Sequence, residues 1–264
     1  MNILRDLAYA PQHGVCGSGD LYLPKPGSRP PGAALAIHGG GWSELDRSSF
    51  AGVAEFLCSE LGLMTFNIDY RLSRIAPWPA CGDDCLAAAG FLRSVLLPQY
   101  CPENVPRVFV VGGSAGGHLA LMTGLRLLPE WVAGIVSISG IADPAPDMIL
   151  HRERYQTLFG KKNAPELLPA ISPINFLQTN SPRILCTHTR FDEVVPFAAV
   201  QNFVDQACRK GIRIHTYFYS RKNEGHCIWV PGSEPHKLHP DLEEAIRNFC
   251  QIGDEAPINP RHDC

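Results

Sequence analysis

Apolar strand-like runs alternate with helix-like segments along most of this chain, and this alternation limits the possible folds more than any other feature. Strand-like runs occur near residues 34–38, 63–70, 107–113, 132–139, 183–189 and 212–219. Helix-like patterns occur near residues 47–61, 81–97, 115–128, 197–210 and 241–251. Such alternation is typical of a mostly parallel sheet with helices on both faces. The residues through Leu23 are expected to add one or two antiparallel edge strands.

The length and charge of the chain exclude several classes of protein. With 264 residues, it can bury one large core, so residues 1–264 are expected to form a single domain with a loose tail after about residue 253. A net charge of −3 provides no basic field for nucleic acid. No apolar run is long enough to cross a membrane, and no apolar leader core follows Met1. The expected compartment is therefore the cytoplasm.

Ten cysteines raise the question of disulfides and metal sites. A chain of this length with a large core needs no disulfide framework, so the cysteines are interpreted as packing residues and free thiols. Cys81 and Cys85 share one side of a predicted helix, but no second pair at zinc-like spacing accompanies them. No metal and no cofactor is therefore expected.

A tight turn follows the run 107–111 and has the sequence Gly112-Gly113-Ser114-Ala115-Gly116. Small neighbours let the Ser114 hydroxyl project into a cleft that larger side chains would fill. The helix-like stretch that begins at Ala115 turns its first N–H groups toward the same space, where they favour negative charge. A serine in this strand–turn–helix setting predicts a nucleophile.

A run of glycines follows the strand-like residues 33–37, in His38-Gly39-Gly40-Gly41-Trp42. Glycines permit positive φ angles and leave backbone N–H groups unobstructed. A phosphate loop would need a Lys and a Ser or Thr after the glycines, or the spaced dinucleotide pattern, and the chain has neither. The loop therefore predicts that Gly40 and Gly41, with Ala115, donate N–H groups to an oxyanion.

Two polar residues follow the last two strand-like runs. Asp192 comes just after the run 183–189, and His226 comes after the run 212–219. Catalytic groups of open α/β sheets collect past the carboxyl ends of the strands, so both side chains are expected near Ser114. A serine hydroxyl needs a base within reach, and the base needs an orienting carboxylate. The order Ser, Asp, His along the chain provides both.

Other residues compete for these two roles. Glu193 is the nearest rival of Asp192. The rivals of His226 are His215, which lies in the middle of a strand-like run, and three residues in or beyond a proline-rich stretch: His236, His239 and His262. The remaining candidates, His38, His118 and His188, are interpreted as structural.

With these motifs, the chain resembles α/β-hydrolases of the small esterase and arylformamidase type, in the branch related to hormone-sensitive lipase and to acetylxylan and feruloyl esterases. The resemblance extends from about Leu21 to about Phe249 and rests on residues 38–42, 69–72, 76–80, 112–118, 172–174, 192–196 and 225–226. It implies the α/β-hydrolase fold, with a mostly parallel sheet of about eight strands, helices on both faces and little or no cap domain.

The expected mechanism is acyl transfer to Ser114 and then to water. Ser114 attacks the carbonyl, His226 accepts its proton and passes it to the leaving group, and Asp192 orients the imidazole. The short segment before His38 leaves little room for a cap domain. The forty or so residues between Gly140 and Pro182 include the helix-like stretch Met148–Phe159 and suffice for one sheet helix and a small lid. A partly open apolar pocket is therefore expected, and its wall is predicted to include Trp42, Trp78, Ile141, Phe191 and Trp229.

Three functions stay open on the sequence alone. Hydrolysis of small soluble esters is the leading one. An amide or formamide hydrolase, or a small exopeptidase, would use the same triad. A ligand-binding protein on a hydrolase scaffold would usually lack the serine or the histidine, and both are present here. Acyl transfer to an alcohol or amine, and assembly as a homodimer, are also compatible with the sequence.

Overall fold

The computed structural model describes residues 1–25, 30–101, 107–160, 165–220, 225–227 and 237–251. In these residues, one sheet is built from β1 (Asn2–Ala8), β2 (Ser18–Leu23), β3 (Ala33–Ile37), β4 (Met64–Ile68), β5 (Val108–Gly113), β6 (Val132–Ile138), β7 (Ile184–Thr189) and β8 (Ile214–Tyr219). The order across the sheet is β1-β2-β4-β3-β5-β6-β7-β8. β2 pairs antiparallel with β1 and β4, and every other pairing is parallel. The sheet confirms the expected architecture and the antiparallel edge.

Most connections between the parallel strands are helical. The α-helices are α1 (Ala51–Ser59), α2 (Ala80–Phe91), α3 (Leu97–Tyr100), α4 (Ala115–Gly124), α5 (Pro144–Leu150), α6 (Arg152–Leu158), α7 (Leu168–Ile171), α8 (Phe197–Arg209) and α9 (Pro240–Gln251). A π-helical turn, Leu92–Leu96, joins α2 to α3. Short 3-10 helices span Pro11–Gly17, Arg47–Phe50, Pro129–Trp131, Pro165–Leu167 and Pro173–Phe176.

The sheet separates two hydrophobic cores because side chains alternate along each strand. Leu35 and Ile37 of β3 belong to one core, and Ala34 and Ala36 belong to the other. Helices α2, α4 and α8 cover the first face, whereas α1 and α9 cover the second. Full burial of a side chain such as Leu35 contributes about 1.5–3 kcal/mol. The sheet is therefore a rigid base for the loops that follow its strands.

The segment between Gly140 and Pro182 contains only α5, α6, α7 and short 3-10 turns in its described residues, so no large cap is present. The helix-like stretch Met148–Phe159 is not one helix, because His151 has φ −125° and ψ 48° and divides α5 from α6. The axis of α6 therefore does not continue that of α5.

Three further expectations concern cysteines, membranes and metals. Eight of the described cysteines are not in a disulfide, but Cys208 is disulfide-bonded, so the expectation of a thiol is wrong at that position. No helix among the described residues is long and apolar enough to cross a bilayer. No cluster of His, Cys, Asp or Glu in the same part of the chain is suited to a metal ion. The tail after residue 253 lies outside the described residues.

Candidate active site

Ser114 occupies a strained turn between β5 and α4. Its backbone has φ 55° and ψ −122°, a conformation that costs a non-glycine residue about 1–3 kcal/mol. The turn is fixed by the Ser114 N–H, which donates to the Ile138 carbonyl at 2.8 Å. Both flanking glycines are required by contact: a Cβ at Gly112 would lie 2.1 Å from the Gly116 oxygen, and one at Gly116 would lie 2.2 Å from the Ile37 oxygen.

His226 and Asp192 form a hydrogen-bonded pair beyond the carboxyl ends of β8 and β7. The Nδ1 atom of His226 lies 2.8 Å from Oδ2 and 3.1 Å from Oδ1 of Asp192. The Asp192 side chain is fully buried, and its Oδ1 also accepts the N–H groups of Val194 at 2.9 Å and Val195 at 2.8 Å. The other ring nitrogen of His226, Nε2, is buried and has no partner among the described residues.

The surroundings of the pair favour the ionised form of Asp192 and the protonated form of His226. Burial of Asp192 would raise its pKa, but the bonds to His226 and Val195 and the nearby imidazoles outweigh burial and lower that pKa. Burial would lower the pKa of His226, but the side chains of Cys227 and Asp192 outweigh it and raise that pKa above its ordinary value. An ionised Asp192 can therefore stabilise an imidazolium at His226.

His188 makes a contact with Asp192 that the sequence interpretation missed. Its Nε2 lies 3.2 Å from Asp192 Oδ2 and 3.0 Å from the Val195 carbonyl oxygen. The ring is fully buried, and burial lowers its pKa. His188 therefore helps to fix the orientation of the carboxylate. The available signal was its position, four residues before Asp192 at the end of β7.

The glycine loop after β3 runs against the serine turn. A Cβ at Gly39 would lie 3.2 Å from the Ser114 Cβ. Gly40 and Gly41 have φ of 99° and 57°, and a Cβ at Gly40 would lie only 2.1 Å from the Glu44 oxygen. The Gly40 carbonyl accepts the N–H groups of Ser43 and Glu44 at 3.0 Å. Ala115 begins α4, so its N–H has no partner within the helix.

The glycine loop is held in place by aromatic side chains. His38 stacks on Tyr70, with 4.3 Å between ring centroids, and its Nδ1 lies 2.8 Å from the Gly39 oxygen. The Tyr70 hydroxyl donates to the carbonyls of His38 and Gly39 at 3.1 Å. Burial lowers the pKa of His38 to about 4, so its ring is neutral at neutral pH. His38 is structural, as the sequence analysis interpreted it.

Ser114 and His226 line the same small cavity, which has a volume of about 260 Å³ and which we call the Ser114 cavity. Its wall is formed by Gly39, Gly40, Gly41, Leu45, Ser49, Phe50, Gly113, Ser114, Arg154, Val194, His226 and Cys227. The structure therefore brings the expected serine, histidine and glycines to one space, with Asp192 behind the histidine.

The aromatic and aliphatic residues expected around the substrate are not on this wall. Trp42 and Ile141 are fully buried in the core. The Trp42 indole donates to His118 Nδ1 at 3.2 Å, which satisfies its N–H away from the cavity. Trp78 packs against His118, with ring centroids 6.0 Å apart, and Phe191 is 48% exposed. Trp229 lies outside the described residues.

The rivals of the two candidate residues lie elsewhere or are not described. Glu193 is exposed, and it is absent from the cavity wall. His215 packs on Phe249 beneath the sheet, with ring centroids 5.4 Å apart. His239 lies near the start of α9, 3.8 Å from Asp241. His236 and His262 lie outside the described residues.

Comparison with known proteins places this site in a family. The model of the BD-FAE family matches residues 19–206, which include the glycine loop, the serine turn and Asp192. The chain belongs to the BD-FAE family. The match ends before His226, so the structure of this BD-FAE chain supplies the position of the histidine.

Curated relatives of this BD-FAE protein include esterases and lipases. Over 127 residues, 46% of this chain, it is 34% identical to a versiconal hemiacetal acetate esterase of Emericella nidulans. Over 153 residues, 57% of this chain, it is 28% identical to hormone-sensitive lipase of Mus musculus. The matched parts make up 41% of that esterase and 18% of that lipase, so the chain spans less than half the length of either relative.

Solved structures share the fold over nearly the whole chain. A truncated carbohydrate esterase from gut microbiota superposes with a TM-score of 0.79 at 22% identity and covers 95% of both chains. Esterase B of Lactobacillus rhamnosis superposes with a TM-score of 0.78 at 19% identity and covers 94% of this chain and 84% of its own. The BD-FAE protein is thus an α/β-hydrolase related to hormone-sensitive lipase, which confirms the resemblance read from its motifs.

Proposed function

We propose that this protein hydrolyses carboxylic esters of small molecules through a Ser114–His226–Asp192 triad. The observation that carries the proposal is the position of His226. Its Nδ1 is bonded to Asp192, while its Nε2 lacks a protein partner among the described residues and its ring lines the cavity of Ser114. An imidazole in this setting has one nitrogen free to take a proton from a hydroxyl. The named esterases and lipases among the relatives support ester chemistry.

Each residue has a defined part in the reaction. Ser114 Oγ attacks the ester carbonyl while His226 Nε2 takes the hydroxyl proton, and the imidazolium then protonates the departing alkoxide. Asp192 stabilises the imidazolium and holds its tautomer. Water repeats the sequence on the acyl-enzyme and releases the acid. The developing oxyanion is stabilised by the N–H groups of Gly40, Gly41 and Ala115, each worth about 10²–10³ in turnover.

The shape of the cavity favours small substrates. Its volume of about 260 Å³ lies below the range typical of sites for drug-sized ligands. Leu45, Phe50 and Val194 provide apolar surface. Leu45 lies in the loop after Gly41, and Phe50 ends the 3-10 helix Arg47–Phe50. Short acyl chains or a single aryl ring fit such a space. The substrate class is therefore small soluble esters rather than long-chain lipids.

The proposal is tested by steady-state kinetics on a graded panel of p-nitrophenyl esters and a matched p-nitroanilide. We expect the acetate and butyrate esters to be hydrolysed faster than the octanoate ester and the anilide. Ser114→Ala and His226→Ala should each abolish turnover, and Ser59→Ala on the exposed face of α1 is the control. Anilide cleavage faster than ester cleavage would favour an amidase, and equal turnover in Ser114→Ala would contradict the proposal.

A further inference from the structure

The wall of the Ser114 cavity carries one permanently charged side chain. Among the described residues that line it, Arg154 of α6 is the only lysine, arginine, aspartate or glutamate. The remaining described wall is made of glycines, of apolar side chains such as Leu45 and Val194, of Ser49 and Cys227, and of the candidate catalytic groups. Beside apolar side chains, the attraction between a cation and an anion is screened less than it is in bulk water.

Arg154 is held at the wall by a buried carboxylate. Its Nη1 lies 3.2 Å from Oδ2 and 3.3 Å from Oδ1 of Asp147, a fully buried side chain on α5. Asp147 also accepts the Tyr155 hydroxyl at 2.8 Å and lies 3.9 Å from His151 Nε2. Burial raises the pKa of Asp147 against the opposing effects of Arg154 and Tyr155. The guanidinium is therefore fixed before any ligand arrives.

Only one of the three guanidinium nitrogens is used in this contact. Arginine has five N–H donors in a planar fork, and Nη1 carries two of them. Among the described residues, no side chain or carbonyl accepts a hydrogen bond from Nε or Nη2 of Arg154, and the side chain is 20% exposed. A carboxylate matches the geometry of such a fork and makes charge-assisted hydrogen bonds with it.

We propose that Arg154 is a specificity residue that binds a carboxylate on the substrate, so that the preferred esters carry a negative charge close to the scissile bond. This inference rests on the proposed esterase function and narrows its substrate class to monoesters of small dicarboxylic acids and similar anionic esters. Asp147 neutralises part of the charge of Arg154. We therefore expect kcat/KM for an anionic ester to exceed that for an uncharged ester about 10–100-fold, which is the effect of one charge-assisted hydrogen bond.

The test compares two esters that differ only in that charge: p-nitrophenyl hydrogen glutarate and p-nitrophenyl pentanoate. Arg154→Met should lower the ratio of kcat/KM for the glutarate to kcat/KM for the pentanoate about 10–100-fold. Arg154→Lys keeps the charge but loses the fork, so it should restore part of the ratio. Arg152→Met, on an exposed position of the same helix, is the matched control. A ratio that is unchanged in Arg154→Met would overturn the inference.

A second variant and a second measurement keep the test decisive. Arg154→Met leaves Asp147 buried without its cation, so Asp147→Asn/Arg154→Met removes both charges and should show the same loss of ratio in a folded protein. Equilibrium binding of both esters to Ser114→Ala, measured by calorimetry, tests the carboxylate site at Arg154 separately from the proposed esterase function. If the wild type hydrolyses neither ester, the esterase proposal fails. Tighter binding of the glutarate that disappears with Arg154→Met would still support the carboxylate site, and equal binding would overturn it.

Discussion

Two cavities lie close together in the fold, and they differ in how their polar groups are satisfied. The larger, of about 720 Å³, is lined by Arg5, Val15, Asp20, Tyr22, Asp46, Arg47, Ser48, Ala51, Glu55 and Asp69, and we call it the Arg47 cavity. There, Arg47 contacts Asp6, Asp20 and Asp69, and Arg5 lies 2.8 Å from Asp20. The Ser114 cavity is smaller, but His226 Nε2 has no partner there among the described residues.

The volume of a cavity does not identify the chemical site of this fold. In the Arg47 cavity, charges compensate one another, so the cluster joins the 3-10 helix Arg47–Phe50 to β2 and to the residue after β4. In the Ser114 cavity, a strained serine and open donors remain after the fold is complete. Strain and unsatisfied hydrogen-bonding capacity cost stability, and they persist where function requires them. Substitutions in the two cavities should therefore have opposite consequences.

The largest expected effect is on catalysis, from Asp192→Asn. The amide cannot stabilise an imidazolium and permits the wrong tautomer of His226, so kcat should fall about 10⁴-fold. Asp20→Asn in the Arg47 cavity is the matched control, because it also neutralises a buried aspartate. Initial rates on p-nitrophenyl acetate measure the effect. Comparable losses of kcat in the two variants would remove the distinction between the cavities.

Arg47→Met should produce the next largest effect, and this effect should be on stability. It leaves Asp20 and Asp69 without their shared cation, at side-chain exposures of 6% and 13%. Removing one member of a buried ionic cluster costs about 3–5 kcal/mol. Urea denaturation measures the loss, while kcat per folded molecule should stay unchanged. A normal unfolding midpoint with a large fall in kcat would reverse the assignment of the two cavities.

The fold around the Ser114 cavity should also lose stability in acid. Burial lowers the pKa values of His38 and His118 to about 4 in the folded protein, below the ordinary value of 6.5. Because the unfolded chain binds these protons more readily, the stabilisation is complete above about pH 6.5 and disappears as the pH falls to about 4. Each shift corresponds to about 3 kcal/mol.

Unfolding free energies measured at several pH values give this dependence directly. His118→Gln, which can still donate to the Ile171 carbonyl, should reduce the loss of stability between about pH 6.5 and 4 by about 3 kcal/mol. The variant His13→Gln, at a partly exposed position, is the control for a general effect of removing an imidazole. A pH dependence as steep in His118→Gln as in the wild type would contradict the assignment to the buried histidines.

The smallest effect is expected at the surface, beside the glycine loop. Arg74 and Glu44 form an ion pair at 2.9 Å, but their side chains are 64% and 65% exposed. Exposed pairs of this kind contribute about 0–1 kcal/mol. Arg74→Ala should therefore change neither the thermal midpoint nor kcat measurably. A large fall in kcat would show that the pair, and not the stack of His38 on Tyr70, positions the loop.

The sequence predicts those parts of the site that depend on local backbone geometry. The glycines around Ser114 are required because a Cβ at Gly112 or Gly116 would clash with the backbone, and these glycines form a motif that the sequence shows directly. Asp192 and His226 follow strand ends, and the ends of parallel strands share one edge, so their meeting could also be expected. Their catalytic roles stay predictions, as does the single domain over residues 1–264.

The parts that the sequence does not predict depend on contacts between distant segments. Trp42 lies in the core, where its indole N–H donates a hydrogen bond to His118, 76 residues away in the sequence. Arg154 reaches the cavity wall because the chain breaks at His151, where the periodicity suggested a continuous helix. His188 supports Asp192 through a contact that no motif marks. Tertiary packing determines these positions, and local patterns do not report it.

Covalent labelling with a fluorophosphonate, read by intact mass and peptide mapping, tests whether Ser114 is an activated nucleophile. Such reagents react with serines that a neighbouring base activates. We expect one adduct per chain, on the peptide that contains Ser114, and none in Ser114→Ala. An unlabelled wild type, or an adduct that persists in Ser114→Ala, would contradict it.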